Sequence, residues 1–358
     1  MRYPLLVALV LLVGCADTSS DSPNTSAEPV PVADSLVVVP EAYVTVRDTA
    51  ANVDSPAIWH GPDGQHWLLV TAKESDVLQV FNAATGDSLR AVGGSGSALG
   101  QLERPNGVAV WGNLALVVER DNRRVQAFSM PEFESVGSFG QDVLRYPYGI
   151  AVQPLGDGRA RIFVTDDYQD ADESVPVDSL LGERVHRFEV TLDPFEATHA
   201  SAFGETGGDG VLHVVESILA DPTHDRLFIA EEEEGASMVM VYDSTYRFTG
   251  ERLPTEYFAT QAEGLALAGC ADGSGLLVAT DQDDARSAFH VFDRATLAHR
   301  GSFVGETTAN TDGIALTQVA FGPFERGAFF AVDDDGATAA FDWGMIVDAL
   351  GLASCGEL

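Results

Sequence analysis

One short phrase recurs six times along the chain: Asp54-Ser-Pro-Ala-Ile, Asn106-Gly-Val-Ala-Val, Tyr148-Gly-Ile-Ala-Val, Glu216-Ser-Ile-Leu-Ala, Glu263-Gly-Leu-Ala-Leu and Asp312-Gly-Ile-Ala-Leu. Each copy opens with a polar or aromatic residue, follows with a small one and runs on into apolar residues. A second phrase follows each copy after a turn: Leu69-Val-Thr-Ala-Lys73, Leu116-Val-Val-Glu-Arg120, Phe163-Val-Thr-Asp-Asp167, Phe228-Ile-Ala-Glu-Glu232, Leu277-Val-Ala-Thr-Asp281 and Phe330-Ala-Val-Asp-Asp334. A third strand-like run then ends on an aromatic residue in most copies, as in Val77 to Phe81 and Val125 to Phe128. Six units of three or four short strands, recurring every 40 to 70 residues, predict an all-β, six-bladed β-propeller. A lone blade cannot cover its own faces, whereas blades packed in a ring bury one another.

The small, apolar first phrase suits the crowded axis. Its leading residues, Asp54, Asn106, Tyr148, Glu216, Glu263 and Asp312, are then expected in a ring at one mouth of the channel. The ends of the second strands reach the same level with Lys73, Glu119, Arg120, Asp166, Asp167, Glu231, Glu232, Asp281, Asp333 and Asp334. The repeat alignment thus predicts a carboxylate-rich rim holding two cations. Tyr43-Val-Thr-Val-Arg47 alternates like a strand and precedes the first unit, while the last unit runs out of strands near Trp343. The early strand is therefore expected to complete the last blade, and the segment 344–350 to cap one end as a helix.

The first fifteen residues read as an export signal. Arg2 precedes an apolar run from Leu5 to Val13, too short to span a bilayer. The ending Leu12-Val-Gly-Cys15 resembles a bacterial lipobox, which implies lipidation of Cys15 as the mature N-terminus. Ala16 after it favours the outer membrane. Residues 16–42 are expected to form a flexible linker, and 43–358 one propeller domain, a monomer held to the membrane only by its lipid. Cys270 and Cys355 would meet an oxidising compartment, either as a disulfide or as two buried thiols.

Fifty-five acidic residues against 20 basic ones leave a net charge of −35. That balance argues against nucleic acid as a partner, since phosphate backbones demand lysine and arginine. A saline habitat accounts for acidity in general, but not for carboxylates at equivalent repeat positions. Six carboxylates at one mouth repel one another, and Ca²⁺ accepts several of their oxygens in flexible geometry. Asp54, Glu216, Glu231, Glu232, Glu263, Asp312 and Asp333 are the candidate metal ligands; Glu233 and Glu234 are read as a solvated loop. In a chain so poor in bases, Lys73 and Arg120 at matching positions suggest an anion site, unless each pairs with a neighbour such as Glu74 or Asp121. The chain has no Gly-x-Ser-x-Gly elbow, His-Glu-x-x-His, Cys-x-x-Cys or P-loop lysine.

With these residues the chain resembles the β-propeller phytases, calcium-dependent phosphatases of myo-inositol hexakisphosphate. Asp54-Ser-Pro-Ala-Ile-Trp59 is similar to that family's Asp-Asp-Pro-Ala-Ile-Trp opening. Lys73, Arg120 and Tyr148-Gly149 stand at its substrate-binding positions, and Glu216, Phe228 to Glu232, Glu263-Gly264-Leu265 and Thr311 to Ile314 match its calcium and water ligands. The likeness runs over about 45–345. It implies a phosphorylated small molecule as substrate, Ca²⁺ as cofactor, and Glu216, Glu263 and Asp312 at the catalytic water, with no covalent intermediate. Three departures touch the implied site: Ser55 replaces the motif's second Asp, Pro105-Asn-Gly-Val-Ala109 lacks a carboxylate and an Asn, and Asp167 stands where a lysine is expected. A shorter stretch, Gly100 to Val110 with Arg120 to Phe128, resembles an NHL repeat and implies a binding propeller. A calcium-dependent lactonase or esterase of the same architecture is a third reading, although such an enzyme would need a histidine base on the ring.

Overall fold

In the computed structural model, which describes residues 36–233, 235–353 and 355, each sequence unit is one antiparallel sheet. Blade 1 contains Val53–His60, His66–Ala72, Val77–Asn82 and Ser88–Gly93, and blade 2 contains Pro105–Trp111, Leu114–Glu119, Arg124–Ser129 and Glu134–Phe139. Blade 3 contains Pro147–Gly156, Arg159–Asp166, Val185–Leu192 and Phe195–Phe203, and blade 4 contains Ile218–Asp221, Arg226–Glu231, Met238–Asp243 and Phe248–Arg252. Blade 5 is built from Gln261–Gly269, Gly275–Gln282, Ala288–Asp293 and His299–Val304, and blade 6 from Ile314–Thr317, Ala328–Asp333 and Ala337–Asp342. The architecture is a six-bladed β-propeller.

Tyr43–Val44 completes blade 6, pairing antiparallel with Ala339 and Ala340, so the N-terminal strand closes the ring as expected. The linker boundary needs correction. Val37–Val38 adds a parallel fifth strand to blade 5 against Phe303 and Val304, and Val39 is buried. The fold therefore takes up residues 37–42, because this apolar run finds an open strand edge to cover. The lipobox with Cys15 and the linker up to residue 35 lie outside the described residues.

The core is distributed between blades rather than within them. Ala57, Trp59, Leu69, Val117 and Phe128 fill the gap between blades 1 and 2, and Phe228, Val239, Leu277 and Phe292 that between blades 4 and 5. A comparable cluster occupies each of the other four junctions, which is why one blade alone would not be stable. The tail forms a helix, Trp343–Ala349, capped by the Asp342 side chain accepting from the Met345 N–H. Its Trp343, Ile346 and Val347 enter the cluster between blades 5 and 6. Beyond the helix, a Cys270–Cys355 disulfide ties the tail to the turn after the inner strand of blade 5. No helix among the described residues is long and apolar enough to cross a membrane.

The small residue in second place of each phrase has a specific cause. At Gly149 an added Cβ would lie 2.0 Å from the carbonyl oxygen of Glu216, the leading residue of the next blade. Gly107, Gly264 and Gly313 face the leading carbonyls of Tyr148, Asp312 and Asp54 in the same way. Inner strands converge so closely that one blade's second residue touches the next blade's first. Gly149→Ala is expected to cost about 1–3 kcal/mol through overpacking against backbone that cannot yield. Chemical denaturation measures it, and a change within error would show that the inner ring relaxes freely.

Candidate metal centre

The side chains at the mouth owe their direction to a break in strand register. In blades 1, 2, 3 and 5 the pairing of the inner strand slips at the leading residue, between Val53 and Pro56, Pro105 and Val108, Pro147 and Ile150, and Ala262 and Leu265. Such a bulge sets two residues opposite one and re-aims a side chain. Asp54, Asn106, Tyr148 and Glu263 sit in these bulges. In blades 1 and 3 the residue opposite is a threonine that locks the ring. Thr165 Oγ1 accepts from the Gly149 N–H at 2.7 Å and donates to the Glu216 carbonyl at 2.8 Å, and Thr71 makes the matching bonds to Ser55 and to the Asn106 carbonyl.

Three carboxylates meet on one side, two at the start and second-strand end of blade 4 and one from the inner strand of blade 5. The oxygens of Glu216, Glu232 and Glu263 lie within 4.8 Å of one another, with Glu232 and Glu263 buried. Glu232 Oε2 is buried without a hydrogen-bond partner in the protein. Burial, then repulsion from a neighbouring carboxylate (Asp54 for Glu216, Glu263 for Glu232, Glu216 for Glu263), pushes all three carboxyls well above the ordinary glutamate range.

The other side holds a mixed network. Lys73 Nζ lies 3.1 Å from Asp54 Oδ1, 3.3 Å from the Tyr148 hydroxyl and 3.6 Å from Asp312 Oδ2. Burial works against the Lys73 charge, but Asp54, Asp312 and Glu216 outweigh it and hold the ammonium above the ordinary lysine range. Gln282 Nε2 donates to Asp312 Oδ1 at 2.6 Å. Burial and then Asp54 raise Asp312 to about 7. Asp335 comes up beside Asp312, itself raised first by burial. Below the ring, a cavity of about 80 Å³ runs along the axis, lined by Ser55, Gly107, Gly149, Ser217, Gly264 and Gly313 among others.

The ring of leading residues thus forms as expected, but the second-strand ends divide into two rows. Side chains alternate along a strand, so adjacent residues cannot both face the axis. Lys73, Glu232 and Gln282 take the inner direction. Glu119, Asp166, Glu231, Asp281 and Asp333 take the other, and each accepts backbone N–H groups of the loop entering its own blade. Glu231 and Asp333, expected as ligands of the central ion, are corrected on this ground. Glu231 accepts from His213 N and Val214 N, and Asp333 from Ala309 N while pairing with Arg47. Arg120 is likewise not drawn to Lys73: its described contacts are Asp121 at 2.7 Å and the face of Tyr146, 4.5 Å from the ring centroid. Asp167 pairs with the buried Arg184 at 3.2 Å and accepts from the Val215 N–H.

Three residues were missed as participants. Asn106 was placed on the ring but not among the ligands; it is fully buried, and neither side-chain polar atom has a partner in the protein. Gln282 lies one residue past the phrase that ends at Asp281, and only the strand register brings it level with Lys73 and Glu232. Asp335 lies in the turn between the last two strands of blade 6, where no periodicity marks its direction.

The donor set fits a hard cation. It offers clustered carboxylate oxygens, one of them buried and unpartnered, and Ca²⁺ takes six to eight such oxygens. Residues 211–347 match the family model described as Phytase. The chain is a six-bladed propeller whose blades 4 to 6 match that family. The matched span holds Glu216, Glu232, Glu263 and Asp312; Asp54, Lys73, Arg120 and Tyr148 lie before it, as do all three departures. Solved structures of similar fold include regucalcin, a calcium-binding protein from Agrobacterium tumefaciens, at 13% identity over 85% of this chain and 95% of that one, with a TM-score of 0.53. A gluconolactonase from Xanthomonas campestris aligns at 13% over 85% and 91%, TM-score 0.52. Luciferin-regenerating enzyme aligns at 9% over 86% and 96%, TM-score 0.54. At such identities the likeness is one of fold. No curated protein sequence matches the chain.

Lys73→Met removes the counter-charge of Asp54 and Asp312, both largely buried. Breaking one partner of a buried pair typically costs about 3–5 kcal/mol. Denaturant melts in chelator are expected to show that loss, with added calcium recovering part of it. A loss of the same size with calcium present would mean that no cation replaces the ammonium.

Proposed function

We propose that the protein is a calcium-dependent phosphomonoester hydrolase acting on a phosphorylated small molecule. The observation that carries this reading is the pairing, at one mouth, of a cation-ready carboxylate cluster with an ammonium and a phenol hydroxyl. Glu216, Glu232 and Glu263, with Asp312 near them, would hold the ion; bound there, Ca²⁺ supplies Lewis acidity and an activated water. Lys73 and Tyr148 bind and orient the phosphoryl oxygens, and Asp54 holds both through its Oδ1. Asp312 accepts a proton at Oδ2, its oxygen without a hydrogen-bond partner. Water oxygen bonds to phosphorus as the ester P–O bond breaks, and a proton passes to the departing alkoxide.

The substrate side is poorer in bases than the resemblance implies. Asp167 is consumed by Arg184, and Ser55 Oγ donates to Asp54 Oδ2 at 3.2 Å where a carboxylate is expected. We infer a preference for esters with fewer phosphates than phytate. A lactonase remains the second reading, favoured by the folds of regucalcin and the gluconolactonase; none of the six leading positions is histidine. The lipobox at Cys15 would set a monomer on the bacterial envelope, with this mouth exposed to exported substrates.

The test is phosphate release from phytate and simpler phosphomonoesters by the purified protein, with calcium and with chelator. Calcium-dependent release is the expected result. Lactone opening without phosphate release would replace the phosphatase reading.

A further inference from the structure

The run Glu231-Glu232-Glu233 leaves the second strand of blade 4 with alternating directions. Glu232 turns to the axis, whereas Glu231 and Glu233 turn the other way and meet His213, in the loop that enters blade 4. His213 Nδ1 lies 3.3 Å from Glu233 Oε2 and 3.9 Å from Glu231 Oε2, and one ligand atom from each residue falls within 4.8 Å of the others. The opposite ring nitrogen, Nε2, lies 3.3 Å from Asp178 Oδ1, on the long connection between the second and third strands of blade 3. A neutral imidazole has one N–H. If Nε2 donates it to Asp178, Nδ1 presents a lone pair to two carboxylate oxygens, an arrangement that repels unless a cation lies between.

A carboxylate on the far nitrogen is the usual orienting partner of a metal-bound histidine. Glu231 is held in place by three backbone amides, those of His213, Val214 and Glu233. Glu233 is half-buried, and the cluster opens to solvent on that side. We propose that His213, Glu231 and Glu233 bind a first-row divalent cation of the zinc class, at a site separate from the central carboxylates and independent of the phosphatase reading. Imidazole nitrogen with two carboxylates suits zinc and is a poor set for calcium, which prefers an all-oxygen shell. The bound ion would fasten the blade 3 connection, through Asp178, to the loop and strand that carry Glu216 and Glu232. Its role there is to stiffen two ligands of the central site from behind.

The test uses chelator-stripped full-length protein, resaturated with calcium and titrated with zinc chloride by calorimetry. Wild type is expected to take up one zinc ion at this site, with affinity at least about tenfold weaker in both His213→Ala and Glu233→Gln. Glu263→Gln, altered only at the central cluster, is expected to keep the wild-type zinc affinity. Because Glu233 is only half-buried and glutamine keeps its shape, Glu233→Gln should fold, and a thermal melt in calcium verifies that. No zinc uptake by wild type overturns the proposal. Unchanged affinity in either variant also overturns it, and points to another histidine pair, such as His60 with His66, as the zinc ligand.

Discussion

Glu263→Gln is expected to lower calcium-dependent phosphate release by about a thousandfold or more and to raise the calcium concentration for half-maximal activity. Glu263 is buried, shares the cluster with Glu216 and Glu232, and reaches the axis from a bulge. Glutamine keeps the shape and removes the charge, so the change isolates the electrostatic role. Effects of this size follow when a group stabilises charge developing in a water-poor site. The same variant should fold normally, and in chelator it should melt no lower than wild type, since it relieves repulsion among buried carboxylates. Steady-state kinetics over a calcium series, with parallel melts, measure both. Activity within tenfold of wild type would remove Glu263 from the reaction.

Without calcium, the protein is expected to lose stability as pH rises from about 4 to about 8. Asp312 and Asp167 titrate near 7 in the folded chain, against an ordinary 3.8, in both cases first because they are buried; Glu216, Glu232 and Glu263 are displaced upward as well. The folded state therefore holds protons that the unfolded chain has released. The associated stability is complete below about 4 and is lost as pH passes through the folded values. A carboxyl titrating near 7 rather than near 4 corresponds to about 4 kcal/mol, so Asp312 alone is worth a melting shift of about 5–10 °C. Calcium should abolish this slope and raise the melting temperature most at the alkaline end, because it binds the deprotonated cluster. Melts across pH in chelator and in calcium decide the matter. A metal-free protein that grows more stable toward pH 8 would contradict the repulsion described for the central cluster.

Much of the architecture could be read from the residues. Repeated phrases specified six blades, and Tyr43-Val44 had the alternation to finish the last one. The leading ring also followed from alignment, because the second residue of each phrase must be small where adjacent inner strands meet. The rim was less legible. Repeat alignment places Glu231 and Glu232, or Lys73 and Arg120, at the same height, but height does not reveal side. Glu231 and Glu232 point to opposite sides because a strand alternates, and the alignment does not state which parity faces the axis. Lys73 and Arg120 share a parity yet part company through their neighbours: Asp54 and Tyr148 draw one inward, and Asp121 and Tyr146 hold the other outside.

The sequence by itself determined that this chain closes a ring of blades around a mouth of carboxylates, since periodic burial admits few other solutions. Only the tertiary structure decided which carboxylates serve as backbone caps and which remain unpaired for a cation. That choice depends on bulges at Asp54, Asn106, Tyr148 and Glu263, and on contacts between residues as distant in the chain as Lys73 and Asp312. Such contacts carry no local periodicity. They exist only once the ring has closed.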